Sequence, residues 1–387
     1  MMAPVVILGT GLAGYTLARE LRKLDAERPL LLISQDDGRS YSKPMLSNAL
    51  SKGKTADALA MATPEAMAEQ LNATVRAGTT VGAIDAAAKT ISVDGETIAY
   101  SDLVLAIGAD VFRPPLAGDG CDQVYSVNDL EDYARFRTVL GEDKQRKVLI
   151  IGGGLIGCEF ANDLAASGYP VALVEPMGRP LPTLLPERAS SAVAEGLASL
   201  GVQFHFGASV TAVNKADKGV VVTLADGSEV QADIVLSAIG LRPRTGLAQA
   251  AGLDVARGIV TNRLLQTSNA NIYALGDCAE VEGKVLMYVL PLMAAARALA
   301  KTLAGTPTPV SYPAMPVQIK TPVCPVVVSP VTPQTAGAWQ IEADGPNVKA
   351  CFTSESGQLL GFALTGSFAS NMQVKSELAR ALPPILM

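Results

Sequence analysis

Ala3-Pro4-Val5-Val6-Ile7-Leu8-Gly9-Thr10-Gly11-Leu12-Ala13-Gly14 is the stretch that decides the fold. An apolar run ends in glycines at the interval that a bound pyrophosphate requires. Val5 to Leu8 read as a buried parallel strand. Gly9 then supplies a tight turn, Gly11 a close approach of backbone to phosphate, and Gly14 the packing of helix on strand. The phosphates belong at the N-terminus of the next helix, where free N–H groups and the dipole favour negative charge. Leu17, Ala18, Leu21 and Leu24 give that helix an apolar face opposite Arg19, Glu20, Arg22 and Lys23. Leu30 to Ile33 supply a second strand, followed by Ser34-Gln35-Asp36-Asp37, where an acid that holds the adenosine ribose is sought; the position falls on Gln35, or the role passes to Ser34 or Asp36.

A lone GxGxxG is a weak signal, but this one recurs. Lys147-Val-Leu-Ile-Ile151 is a core strand, Gly152, Gly154 and Gly157 repeat the glycine pattern, and a helix runs to about Ser167. Val171 to Val174 form the next strand, which ends in Glu175. Each half also carries an Asp-Gly hairpin turn and a returning core strand at one shared interval, Asp94 to Gly108 and Asp226 to Gly240. This is an internal duplication. Glu175 can accept from both ribose hydroxyls and repels a 2′-phosphate, which favours NADH over NADPH. Arg179, nearby, is a residue that accepts such a phosphate. A third segment, Asn271 to Glu280, ends a strand at Gly276 and places Asp277 where a carboxylate binds a polyol hydroxyl. The helix after it, from about Pro291 to Ala304, can direct its dipole at an anionic ring.

Composition narrows the class. The chain has 387 residues, 49% of them hydrophobic, enough for two or three domains. Its net charge of −6 gives no global basic field for nucleic acid. Cys121, Cys158, Cys278, Cys324 and Cys351 make no CxxC or metal-ligand cluster, which suits a reducing compartment. No apolar run reaches the roughly 18 residues of a membrane span, and the N-terminal run lacks a basic leader, so a cytoplasmic protein is expected. Residues 38–54 form a local exception to the acidity, with Arg39, Lys43, Lys52 and Lys54 and no acid, a pattern that steers an acidic partner. His205, the only histidine, lies between Phe204 and Phe206 and reads as a structural or surface residue rather than as a proton relay. Prolines recur from Thr306 onward, and strands follow, a small α+β domain.

The two glycine patterns, the returning strands and Tyr273-Ala-Leu-Gly-Asp277 together resemble the two-dinucleotide-binding-domain flavoproteins related to glutathione reductase, over essentially the whole chain. Tyr41-Ser-Lys-Pro-Met-Leu-Ser47, Asn128 to Tyr133, Gly154 to Leu164 and Val317 to Pro322 are similar to the branch that reduces rubredoxins and ferredoxins. The resemblance implies an α/β fold with two Rossmann-like domains and a small C-terminal α+β domain. FAD would occupy residues 1–112 with 240–308, NADH an inserted domain at 113–239, and 309–387 would form the last domain. It implies FAD contacts from Gly9, Thr10, Gly11, Leu12, Ala13, Gly14, Ser34, Gln35, Lys43, Val81, Glu159, Asp277, Val289 and Lys320. Gly152, Gly154, Gly157 and Glu175 would hold NADH. Disulfide reductases of this fold carry a CxxxxC pair after the first flavin loop, and related oxidases and peroxidases carry one cysteine. Lys43 to Lys54 contain none, and Asn48 lies near the peroxidatic position. With Cys158 and Cys278 read as structural, electrons leave from the flavin itself, and no residue acts as a covalent catalyst. The implied partner is rubredoxin, an acidic one-iron carrier docking near Arg39, Lys43, Lys52, Lys54 or Lys320, with the protein a monomer or weak dimer. A ferredoxin or flavorubredoxin as acceptor, and a flavoprotein acting as a redox switch, are the alternatives.

Overall fold

A computed structural model describes residues 3–387. Strand β1 (Val5–Leu8) is completely buried and opens into helix α1 (Leu12–Leu24) through the first glycine turn. It pairs in parallel with β2 (Leu30–Ile33), Leu8 opposite Ile33, and β3 (Thr74–Arg76) continues the sheet beyond β2. The returning strand β4 (Asp102–Leu105) lies on the other side of β1, with Val5 opposite Asp102. The central strands β1, β2 and β4 are four residues each and almost entirely Val, Leu and Ile because both their faces are covered by helices or hairpins, the condition of a parallel sheet.

The second unit repeats the plan. The short strand β5 (Val124–Tyr125) precedes helix α2 (Leu130–Leu140); then come β6 (Val148–Ile151), α3 (Leu155–Ala166), β7 (Val171–Glu175), helix α4 (Glu187–Ser199), β8 (Gln203–Phe206) and the returning β9 (Ile234–Ser237). Their order is β5-β9-β6-β7-β8. The chain then comes back to the first sheet with β10 (Ile272–Ala274), giving the matching order β10-β4-β1-β2-β3, and helix α5 (Val289–Leu303) follows. The two units are joined where Ala109–Val111 runs antiparallel to Leu241–Pro243, with Arg244 paired to Asp110 at 2.6 Å.

Each unit carries a three-stranded antiparallel meander before its returning strand. The Asp94-Gly95 turn has positive φ at both residues, 49° and 82°, the backbone of a two-residue type I′ hairpin. The Asp226-Gly227 turn differs from that expectation. It is a longer loop in which only Gly227 has positive φ, and the Asp226 carboxylate accepts from the Ser228 amide at 2.9 Å.

The C-terminal sheet has the order β11-β12-β15-β14-β13, from β11 (Val317–Ile319), β12 (Val326–Ser329), β13 (Ala338–Asp344), β14 (Asn347–Thr353) and β15 (Leu359–Thr365), with helix α6 (Met372–Ala381) after it. Ile319, Val326, Val328 and Val348 share one core with Phe160, Leu164 and Leu197 of the second unit. At Gly196 of α4 an added Cβ would meet Cys324 Cβ at 2.9 Å, so the two bodies touch closely there. Leu24 does not join the buried face of α1. It is 52% exposed, because the sheet surface under α1 ends at Leu21. No helix among the described residues is long and apolar enough to cross a membrane.

Candidate functional site: two glycine turns and a buried polar junction

The two glycine turns have one stereochemistry. Gly9 (φ 114°) and Gly152 (φ 102°) hold a conformation that side chains disfavour, and a Cβ on either would strike the carbonyl oxygen of Ala106 or Ala238. A Cβ on Gly14 or Gly157 would lie 1.9 Å from the carbonyl oxygen of Gly9 or Gly152, so helix and turn touch through the missing side chain. At Gly11 and Gly154 nothing lies within 4 Å of the same position. Those two residues are the N-caps of α1 and α3, with no side-chain cap and no acid in the first turn. Helix α2, by contrast, is capped by Asp129, which accepts from the Asp132 amide. Two helix starts with free N–H groups, and room kept open by glycine, fit the pyrophosphates of two dinucleotides.

The ribose positions differ between the halves. Glu175, at the end of β7, is only 6% exposed and is not a solvated strand end. Its carboxylate accepts from the Gly153 amide at 2.7 Å and the Met177 amide at 2.8 Å, which aims it at the glycine turn. In the first unit Ser34 is buried while Gln35 is exposed, and Asp36 accepts from Thr10 Oγ1 at 2.9 Å. The acid nearest the turn is therefore Asp36. Val81 begins the meander two residues after Thr79, whose amide donates to the Ser34 carbonyl at 2.8 Å, so it stands beside the same strand end.

The 3₁₀ helix Lys43–Asn48 organises the remaining residues. At its start Lys43 Nζ lies 3.6 Å from Asp277, which sits in the turn after β10. Gly276, one residue before, packs against Ala13 of the first glycine turn and Leu292 of α5. Val289 is the first residue of α5, a further helix with no side-chain cap and no acid in its first turn. Towards the other end of the 3₁₀ helix, roughly 8 Å along its axis at 2.0 Å per residue, Ser47 donates to Glu159, and Lys320 Nζ donates to both Ser47 Oγ, at 3.0 Å, and the same carboxylate. The Lys320 backbone amide also donates to Glu159, at 2.8 Å. Glu159 is 1% exposed, so three segments from three parts of the chain meet at one buried carboxylate. Asn48 has a buried side-chain oxygen without a partner.

Several proposed positions take a different character. Arg39 is held by Asp37 at 2.5 Å and Asp57 at 2.8 Å, and Lys320 is matched by Glu159, so their charges are locally neutralised. Lys52 and Lys54 lie in a fully exposed stretch from Ser51 to Thr55. Cys158 is completely buried, which pushes its thiol up, and burial also pushes Cys278 up to about 11. Cys278 stands in the turn Gly276–Cys278 rather than in a glycine-pattern helix. Neither is a thiolate at neutral pH. Ser47, Asn162 and Asp163 lie in stretches that carry the resemblance, but the sequence assigns them no contact of their own. The signal available was a polar stripe, Glu159, Asn162 and Asp163, on a helix otherwise built of small and apolar residues.

Residues 3–300 match the family model for pyridine nucleotide-disulphide oxidoreductases, and residues 309–382 match the model for the rubredoxin binding C-terminal domain. The rubredoxin-NAD(+) reductase of Alcanivorax borkumensis is 59% identical over 99% of this chain and 100% of its own length. The enzyme of the same name from Acinetobacter baylyi is 45% identical over 100% and 99%. Among solved structures, the covalent putidaredoxin reductase–putidaredoxin complex superposes with a TM-score of 0.88 at 27% identity, covering 98% of this chain and 94% of that one.

Proposed function

Because the chain belongs to the pyridine nucleotide-disulphide oxidoreductase family, we propose that it carries electrons from NADH through FAD to rubredoxin. The observation that carries this reading is the match of residues 309–382 to a rubredoxin binding C-terminal domain, a domain tied to the second glycine-turn helix through Lys320 and Glu159. When bound, FAD would supply the chemistry that links a two-electron hydride donor to a one-electron, one-iron carrier.

The chain's own contribution is alignment and exclusion of water. Residues 1–112 with 240–308 form the FAD-binding unit in this reading, 113–239 the NADH-binding unit and 309–387 the C-terminal domain. Gly9, Thr10, Gly11, Leu12, Ala13 and Gly14 hold the FAD pyrophosphate, and Ser34, Gln35 and Val81 flank the adenosine. Asp36, bonded to Thr10, is the acid closest to that ribose. Asp277 takes a ribityl hydroxyl with Lys43 beside it, while Glu159, Lys320 and Val289 line the ring. Gly152, Gly154 and Gly157 hold the NADH pyrophosphate. Glu175 takes its ribose, and its fixed negative charge disfavours a 2′-phosphate.

The 3₁₀ helix that runs along this site carries Lys43, Ser47 and Asn48 but no cysteine, so no thiol stands between NADH and the outgoing electron. Of the cations considered for docking an acidic rubredoxin, Lys52 and Lys54 remain exposed in a stretch without acids, and they make the principal contact in this reading. Anaerobic stopped-flow tests the whole. NADH should bleach the flavin, and oxidised rubredoxin should restore its colour faster than ferredoxin does. Flavin that NADH leaves oxidised, or that ferredoxin reoxidises faster, overturns the assignment.

A further inference from the structure

Helix α3 starts at the second glycine turn and presents Glu159, Asn162 and Asp163 on one face, three and four residues apart. They are 1%, 4% and 3% exposed, and each is bonded outside its own unit. Glu159 engages Ser47 and Lys320, and Asn162 Oδ1 accepts from the Val323 amide at 3.1 Å. Asp163 accepts from the Leu50 amide through Oδ2 and from the Ser51 amide through Oδ1, both at 2.9 Å, and from Ser51 Oγ. Leu50 and Ser51 follow, after Ala49, the 3₁₀ helix that carries Lys43 and Ser47.

A buried carboxylate is a costly way to join two apolar surfaces, since hydrophobic residues of similar volume pack an interface at least as well. What a carboxylate adds is geometry. Its two oxygens hold two successive amides at once and fix both the height and the rotation of one segment against the other. Gly154, the N-cap, and Asp163, nine residues further along the same rigid helix, are about 14 Å apart at 1.5 Å per residue. A shift at Asp163 therefore tilts the turn on which the nicotinamide dinucleotide rests.

The geometry points to Asp163 as a positioning residue for hydride transfer, setting the NADH-binding helix against the flavin-side segment at Leu50 and Ser51. This rests on the NADH and FAD reading above. Reacting atoms need about 3–3.5 Å, and a misplacement of about 1 Å costs on the order of 100-fold. The Asp163→Asn variant keeps the volume but turns one acceptor into an amide that faces an N–H.

In anaerobic stopped-flow of the holoenzyme, its limiting rate of flavin reduction by NADH should fall about 10- to 100-fold, with NADH affinity held within about threefold. Reoxidation of the dithionite-reduced variant by ferricyanide, a small acceptor that needs no docking at Lys52 and Lys54, should stay at the parent rate. In flavin-free protein, hydrogen exchange at the Leu50 and Ser51 amides should quicken in the variant. Ser51→Ala, which removes one donor and keeps the fold, should slow flavin reduction about two- to fivefold and leave reoxidation alone. The inference is overturned if Asp163→Asn exchanges faster at those amides yet transfers hydride at the parent rate. An equal fall in both half-reactions, or a Ser51→Ala variant indistinguishable from the parent, overturns it too. A parent protein that NADH does not reduce would instead refute the functional reading underneath.

Discussion

The ion pair between Glu159 and Lys320 should be coupled strongly enough to measure. Glu159 is 1% exposed, while the Lys320 side chain keeps 24% of its surface in water. Removing one partner of a fully buried pair costs about 3–5 kcal/mol. Because Lys320 is partly solvated, the low end applies, and Lys320→Met should destabilise by about 3 kcal/mol, since the carboxylate is left with only Ser47 and the Lys320 amide as donors. Glu159→Gln should cost about 1 kcal/mol, because the lysine can turn towards solvent and the amide oxygen still accepts from the backbone. The double variant leaves no unpaired charge, so its loss should be less than the sum, with a coupling energy of about 2 kcal/mol. Urea unfolding followed at Trp339 makes the measurement. That residue is the only tryptophan, lies in the sheet that begins just before Lys320, and stacks edge to face on Phe352 with centroids 5.3 Å apart. A coupling below about 0.5 kcal/mol would mean that the two groups are neighbours without a shared energetic role, and the junction as described would be wrong.

Charge reversal at the exposed stretch, Lys52→Glu with Lys54→Glu, should slow reduction of rubredoxin about tenfold at low salt and leave NADH reduction of the flavin unchanged, with the difference fading as salt is added; equal rates at low salt would remove the docking proposal. The glycines should separate into steric and ligand-facing classes: Gly14→Ala and Gly157→Ala meet a carbonyl oxygen at 1.9 Å and should perturb folding even without nucleotide, whereas Gly11→Ala has open space and should fold normally but retain less FAD, read by circular dichroism and the flavin content of purified protein. Burial raises the Cys278 thiol from 9.0 to about 11, so its protonated form is favoured in the fold. That contribution is fully present below pH 9 and is lost as pH rises through 11, so the stability difference between the parent and Cys278→Ala should shrink by about 2 kcal/mol from pH 8 to 10.5; a difference that does not change with pH would contradict the burial argument.

The glycine turns were legible because each glycine answers a backbone demand local to its own strand–turn–helix: a positive φ at Gly9 and Gly152, contact with a carbonyl at Gly14 and Gly157. The Asp94-Gly95 hairpin was legible for the same reason, while Asp226-Gly227 needed only one positive φ and took a longer loop. The periodicity of α1 extends its apolar face to Leu24, but periodicity does not say where the opposing sheet stops, and Leu24 lies past its edge. The basic stretch at 38–54 misled in a similar way. The carboxylates that neutralise Arg39, Asp37 and Asp57, stand just outside that window.

The junction at Glu159 had no local signature, because Ser47, Glu159 and Lys320 are joined only by the folding of three parts of the chain around one helix. Resemblance supplied Glu159 and Lys320, and nothing supplied the contacts of Asp163. Yet helix α3 carried the information in another form. A helix buried along most of its length has no solvent face on which to leave a glutamate, an asparagine and an aspartate. Such residues in the interior must find donors, and an α-helix has already spent its own amides on its own carbonyls. The donors therefore have to come from chain that packs on the helix from elsewhere, here Leu50, Ser51, Lys320 and Val323. A polar stripe on a buried helix thus marks where another part of the fold must arrive, although not which part.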